Sequence, residues 1–340
     1  MRVEKGKVRA PEIGRVWLNS PPLSLRQLRG RAVLIDFWDY TCVNCIRTLP
    51  YVEAWHERYR DHGLTVIGVH TPEFTFAQYE SNVERGIREF GLTYPIVIDN
   101  DYELWKAFAN RCWPTKYLLD QEGYLRYAHF GEGGYLEFEQ AIQDLLREIN
   151  PAIELPPPMS PLKEEDHAGA VCFPPSPELY LGHRRGRIGN PEGFREDTIA
   201  DYSYTADLEE NVFYASGNWA STAEYFEAVG EGDHHLALRY RASSVNLVMA
   251  SPRGGSRDVI IRQDGKFLTS VNATDDIKFR SQETYLSVDH PRMYALVNNH
   301  DFGEHLLELI CPAGMAAFAF TFTSCVDPVR SAISASGAHS

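Results

Sequence analysis

Two cysteines in the stretch "FWDYTCVNCIRTLP", Cys42 and Cys45, are separated by two residues. A pair so spaced serves as a metal clip, a structural disulfide or a redox-active dithiol. A structural zinc site takes four ligands, commonly from two such pairs. The chain has no second C-x-x-C, and His56, eleven residues past Cys45, is too far along to share a metal with it. The redox reading makes a specific demand. The first cysteine must sit at a helix N-terminus, where unpaired N–H groups and the helix dipole favour a thiolate. That thiolate attacks a disulfide, and a second cysteine one turn inside the helix resolves the mixed disulfide. Cys42 is thus the expected nucleophile and Cys45 the resolving thiol. Strong oxidants place positive charge beside their thiolate. Val43 and Asn44 bring none and Asp39 adds negative charge, so a reducing or isomerising dithiol is expected.

The surrounding pattern supplies the elements this chemistry needs. "RAVLIDFW", 31–38, reads as a buried strand by length and residue type. A helix is predicted from near Cys42 to about Arg60, with Ile46, Leu49, Val52 and Trp55 at helical spacing. "LTVIGVH", 64–70, and "YPIVID", 94–99, read as further strands, with a helix over 75–90 between them. A short helix over 101–110, a hairpin of "TKYLLD" and "GYLRYAHF" around "QEG", and an amphipathic helix over 135–150 complete the set. Strands alternating with helices predict an α/β or α+β layer fold.

Beyond residue 150 the composition shifts. Residues 151–175 are rich in proline and charge and read as a semi-rigid linker. Residues 176–326 alternate apolar and polar over many short segments with Gly, Asp and Pro turns, which predicts a β-sandwich. Residues 327–340 read as a flexible tail. With 340 residues, two domains are expected.

The cysteine segment resembles a thioredoxin-fold active site. Asp36 lies six residues before Cys42 and Pro50 five after Cys45, as in that family. "CWPTKYLLD" resembles the thioredoxin cis-proline loop, which makes Pro114 the cis-proline and Trp113 the residue before it. "TVIGVHTPEF" resembles the TlpA/ResA branch, in which a glutamate stands near the cysteines, and Glu73 falls at the matching place. Taken with "FGEGGY", the set looks most like the DipZ type: a thioredoxin-like domain followed by a carbohydrate-binding-module-like sandwich. The resemblance is strong over 14–150 and weaker over 176–326, where "SPELYLG", "GNWASTAEYFEA" and "AFAFTF" carry it. It implies an α/β thioredoxin fold followed by an all-β, jelly-roll-like sandwich. It also implies a thiol–disulfide oxidoreductase that needs no bound cofactor or metal. The dipeptide between the cysteines is Val-Asn rather than Gly-Pro, and no membrane electron-carrier domain accompanies the two parts.

Within that frame the residues take roles. Asp36, in an apolar strand, is expected to have a raised pKa and to accept the Cys45 proton, or else to cap a strand-end turn. Trp113, Pro114 and Gly131 are expected to line a substrate groove, with Tyr40 at its rim. Cys112 is either an exposed neighbour of that loop or a buried thiol. In the second domain Trp219, Tyr225, Phe226, Tyr240, Tyr285 and Tyr294 are core or a sugar-stacking face, with core favoured by β propensity. His234 and His235 read as a surface turn, since adjacent strand residues point to opposite faces. Cys112, Cys172, Cys311 and Cys325 are scattered, and although Cys311 and Cys325 flank an apparent hairpin about "CPAG" they fall out of register, so free thiols and a reducing compartment are expected.

The formal net charge of −14 argues against nucleic acid or anionic membrane as partner. No apolar run reaches the roughly 18–20 residues of a membrane helix. No apolar signal region opens the chain, so a cytoplasmic location is expected as it stands, and an extracytoplasmic one if it is a trimmed piece. The expected partners are a disulfide-bearing protein substrate, an electron donor, and a glycan or protein on the sandwich. Two rival readings remain: a peroxide-reducing redoxin using Thr41 and Arg47, and a non-catalytic binding protein.

Overall fold

A computed structural model describes residues 1–326 apart from Arg15, Ala168, Gly169 and Ala206. The tail expected over 327–340 lies outside the described residues. The chain divides into two compact units, Met1–Asp166 and His167 onward.

The first unit is built on β2 (Ala32–Trp38), a strand with every residue buried. It lies between β3 (Leu64–His70), parallel to it, and β5 (Thr115–Leu119), antiparallel to it. With β1 (Val16–Leu18), β4 (Ile96–Ile98) and β6 (Leu125–Phe130), the sheet runs β1-β4-β3-β2-β5-β6. The period of two divides β2 between two cores. Ala32, Leu34 and Trp38 pack with α1 (Val43–Tyr59), α2 (Glu80–Glu89) and α4 (Tyr135–Ile149). Val33, Ile35 and Phe37 pack on the other face with Ile13, Leu25 and α3 (Glu103–Ala107). This is the thioredoxin fold that the sequence implied.

The segment after α4 is held against this unit. Leu155 and Met159 pack on the α1/α4 core. Glu139 of α4, 1 % exposed, accepts from Tyr59 Oη (2.6 Å) and from the Met159 N–H (2.8 Å). Gln143 donates to the Pro156 carbonyl (2.8 Å), and Arg58 to that of Pro157. At its far end the Leu162 N–H donates to Tyr51 Oη (2.7 Å), which donates in turn to Asp166 (2.6 Å). Residues 151–166 are thus a strap on the first unit. Composition reads them as a linker because proline content sets chain stiffness and says nothing of packing.

The second unit is all β. Its strands are β7 (Val171–Cys172), β8 (Leu179–Tyr180), β9 (Ile199–Tyr202), β10 (Phe213–Ser221), β11 (Phe226–Ala228), β12 (His234–Ala250), β13 (Arg257–Gln263), β14 (Lys266–Phe267), β15 (Lys278–Arg280), β16 (Glu283–Val288), β17 (Arg292–Cys311), β18 (Ala316–Thr323) and β19 (Cys325–Val326). Eleven of them form one antiparallel sheet, ordered β15-β16-β13-β17-β12-β10-β11-β18-β8, with β9 on β10 and β14 on β13. Long β12 pairs along β17 and also with β10 and β18, with register shifts, so the sheet folds over its own apolar face. Trp219, Phe226, Tyr240 and Tyr294 are all 0 % exposed and lie in that core.

Three expectations are corrected here. The "CPAG" hairpin does not form, because β17 and β18 both pair with β12. Cys172 and Cys325 are not free: they pair across β7 and β19 and are disulfide-bonded to each other. His234 is not at a surface turn. It is 1 % exposed, with its ring nitrogens 3.2 Å from the Cys311 carbonyl and 2.8 Å from that of Val229.

Two stability outcomes follow from these contacts. A fragment 1–150 should unfold in less urea than 1–166, by about 2–4 kcal/mol for two apolar side chains and several hydrogen bonds. Equal midpoints would show that the strap adds nothing. The disulfide spans 153 residues of sequence. On chain entropy Cys172→Ser should destabilise the second unit by about 4–5 kcal/mol, read by thermal unfolding of the full chain, and a melt unchanged by the substitution would overturn this.

Candidate active site

β2 ends at Trp38 and the chain turns through 39–42 into α1. Cys42 is the N-cap: its backbone is extended, its Sγ accepts the Cys45 N–H (3.2 Å), and its carbonyl accepts from Ile46 (2.9 Å). This satisfies donors that the first helical turn leaves open. Cys45, one turn in, is buried, whereas Cys42 is partly exposed. The sulfurs lie 2.6 Å apart. Burial raises both thiols, Cys45 far more than Cys42, so Cys42 is the more acidic of the two. Pro50 lies inside α1, where it removes one hydrogen bond of the helix.

Beneath the pair, the inward parity of β2 aims Asp36 into the core that holds Cys45. Asp36 is fully buried, and neither carboxyl oxygen has a hydrogen-bond partner among the described residues. Desolvation raises its pKa to about 7, opposed by Lys116. Lys116 is the direct cross-strand partner of Asp36 in β5 and is equally buried. Its Nζ donates to the Gly131 carbonyl (3.3 Å) and stands 5.8 Å from the Tyr135 ring centre. Burial lowers its pKa, with Asp36 acting the other way.

The remaining expected residues come from three loops. The Trp113–Pro114 peptide is cis. Trp113 packs against the same core as Cys42, donates from Nε1 to the Thr71 carbonyl (3.1 Å), and contacts Trp105 at 4.3 Å between ring centres. Gly131, at φ +83°, donates its N–H to the Pro114 carbonyl (2.8 Å). Glu73 follows β3, and its charge is one of those that raise Cys42. Tyr40 stands apart from this surface. It is 3 % exposed and its ring stacks on His70, so it is core rather than groove rim. Cys112 is partly exposed, with its Sγ 3.5 Å from Thr115 Oγ1.

Thr41 and Arg47 are committed to structure. The Thr41 hydroxyl and N–H both donate to Asp39, and Arg47 pairs with Glu132 (2.6 Å) and donates to Asn44. Sequence reading missed Lys116, Glu132 and the internal role of Asp39. Asp39-x-Thr41 does carry the spacing of an Asx-type turn. Lys116 carries no local signal, because its meaning lies in the cross-strand register. Among the described residues no cluster of three or more His, Cys, Asp or Glu could hold a metal, and no helix is long and apolar enough to cross a membrane.

Both units are similar to known proteins. Residues 9–128 match the AhpC/TSA family, and residues 176–323 match the family described as thioredoxin like C-terminal domain. The protein DipZ of Mycobacterium tuberculosis is 35% identical over 312 residues, which cover 90% of this chain and 41% of that protein. The chain therefore spans about two fifths of the length of that relative. The thiol–disulfide oxidoreductase ResA of Halalkalibacterium halodurans is 31% identical over 134 residues, 39% of this chain and 71% of the relative. Among solved structures, a thioredoxin-like protein in its oxidised form is 30% identical, with 43% of this chain and 99% of that one covered at a TM-score of 0.40.

The buried carboxyl sets a pH signature. Asp36 keeps its proton to about pH 7 when folded but loses it near pH 4 when unfolded. The folded state then binds more protons between those values, so Asp36 subtracts stability as pH rises through them. Relative to wild type, Asp36→Asn should be more stable above pH 7, by at most about 4 kcal/mol, with the gain gone near pH 4. A difference between the two proteins that does not change with pH would refute the raised pKa.

Proposed function

The chain belongs to the thioredoxin-like thiol–disulfide oxidoreductases, with a C-terminal domain of the DipZ type, and we propose that Cys42 and Cys45 are its exchanging pair. The observation that carries this reading is the placement of Cys42 as N-cap of α1, partly exposed, beside a buried Cys45 that lies over Asp36.

In the reducing direction the Cys42 thiolate attacks one sulfur of a target disulfide. A Cys42–target S–S bond forms, the target bond breaks, and the second target sulfur leaves as a thiolate that takes a proton. Cys45 then gives its proton to the Asp36 carboxylate and attacks Cys42 Sγ. The Cys42–Cys45 bond forms and the remaining target sulfur departs as a thiolate, which takes a proton as Asp36 gives its own back to solvent. Two electrons pass from the dithiol to the target. Asp36 suits the proton step because desolvation brings it near neutrality, where a buried base is most useful. Lys116, opposite, stabilises whatever charge Asp36 carries. Trp113 and the cis Pro114 with Gly131 form the wall that an extended substrate would lie against, and Glu73 borders Cys42.

The substrate class is a protein disulfide, and the donor that restores the dithiol is a thiol or dithiol acting on the same bond. We read the second unit as an interaction module for a protein or glycan ligand. Most of its candidate aromatics are spent on the core, which weighs against a sugar-stacking face built from them. The Cys172–Cys325 disulfide supports an oxidising, extracytoplasmic setting over the cytoplasmic one.

The test is a trap. Cys45→Ser in the full chain should accumulate mixed disulfides on Cys42 that reductant releases, and Cys42→Ser should accumulate none. Trapping on Cys45 of the Cys42→Ser variant instead would reverse the roles.

A further inference from the structure

Asp39 is a fully buried acid within three residues of Cys42, and its side-chain oxygens accept from two backbone N–H groups and one hydroxyl. Oδ1 accepts the Thr41 N–H (2.7 Å) and the Thr41 hydroxyl (2.5 Å). Oδ2 accepts the Glu73 N–H (3.0 Å) and lies 3.5 Å from His70 Nε2. One carboxylate thus joins the turn that delivers Cys42 to the loop that delivers Glu73. The main chain of Asp39 takes part as well: its carbonyl accepts the Cys42 N–H (3.4 Å) and its N–H donates to Cys45 Sγ. The other ionisable groups here are Tyr40, stacked on His70, then Glu73 and the two thiols. Burial pushes His70 down to about 3, so His70 is neutral and does not cancel the charge.

We propose that Asp39 is a positioning residue for the exchange reaction: it fixes the cysteine turn against the Glu73 loop and holds a negative charge behind the sulfurs that keeps the pair reducing. This rests on the reading of Cys42 and Cys45 as the exchanging pair. The physical argument is one of charge. A disulfide is neutral, whereas a dithiol with ionised Cys42 is an anion, so a nearby fixed anion disfavours the ionised dithiol and leaves the disulfide unaffected. Oxidation of the dithiol is thereby favoured, which is what a reductant needs. Burial raises the Asp39 carboxyl above its usual range, and the hydrogen bonds from Thr41 and Glu73 work against that rise by favouring the charged form.

The experiment compares wild type and Asp39→Asn as full-length chains by glutathione redox titration from pH 6 to 11, with Cys42 alkylation rates over the same range. The variant should ionise Cys42 about one pH unit lower. Above the wild-type transition its equilibrium should lie about tenfold further towards the dithiol, about 30 mV, and below the variant's transition the two should coincide. A purely structural residue would change thermal stability without this pH-dependent shift in potential. A folded variant with an unmoved Cys42 transition and potential overturns the proposal. Should the variant fail to fold, carboxyl ¹³C NMR of reduced wild type decides. Asp39 ionised at pH 7 supports the proposal, and Asp39 protonated at pH 7 overturns it. A wild-type chain that forms no Cys42–Cys45 disulfide in glutathione overturns the exchange reading and this inference with it.

Discussion

The site depends on a carboxyl group buried in the central strand of a sheet. Moving an isolated carboxylate out of water costs many kcal/mol, so the group either keeps its proton or finds a cation. Asp36 does some of each. Its oxygens receive no hydrogen bond among the described residues, which favours the acid, while Lys116 on the neighbouring strand favours the anion. The outcome is a group balanced between two states near neutrality, set in the core that holds Cys45. Strand parity places it there. Asp36 shares the face of Leu34 and Trp38, the face on which α1 lays Cys45, Leu49 and Val52. A slip of one residue in β2 would turn the acid to the opposite core and leave the dithiol without it.

The other acids near the dithiol differ in how they are solvated. Among the described residues Asp39 is as buried as Asp36, yet it accepts three hydrogen bonds and pairs with no lysine, whereas Asp36 faces a lysine and accepts no hydrogen bond. Hydrogen bonds to the anion and a facing cation are distinct ways to offset the same desolvation. Burial raises the pKa of both acids, Asp36 to about 7, with the hydrogen bonds opposing the rise at Asp39 and the lysine opposing it at Asp36. The two aspartates, three residues apart in sequence, therefore do different physical work.

Much of this was legible in the sequence because it is local. The C-x-x-C pair, the apolar run before it, the apolar spacing of Ile46, Leu49, Val52 and Trp55, and the Trp113-Pro114 loop each lie within a few residues, and each is where the pattern puts it. Features that depend on pairing were not legible. Lys116 looks like any lysine in a strand until β5 is registered against β2. Glu139 and Gln143 look like solvated positions of α4 until the strap comes down on them. Tyr40 looks like a rim residue from its distance to Cys42, but His70 lies parallel to its ring and keeps it inside.

The second unit shows the same division over greater distances. Alternation marks its strands well, because a period of two with turn residues between is a local pattern. Strand partners are another matter. β17 and β18 follow one another across a short turn, and the default for such neighbours is a hairpin. Here β12 is long enough to pair with both, and it separates them. With β18 placed that way, the next residues run to β7 rather than back to β17, and Cys325 meets Cys172 instead of Cys311. Cys311 is left buried and free, with its carbonyl facing His234. The cysteine pairing is thus a consequence of which strand β12 accepts on its second half, and no count of cysteines or spacing along the chain contains that choice.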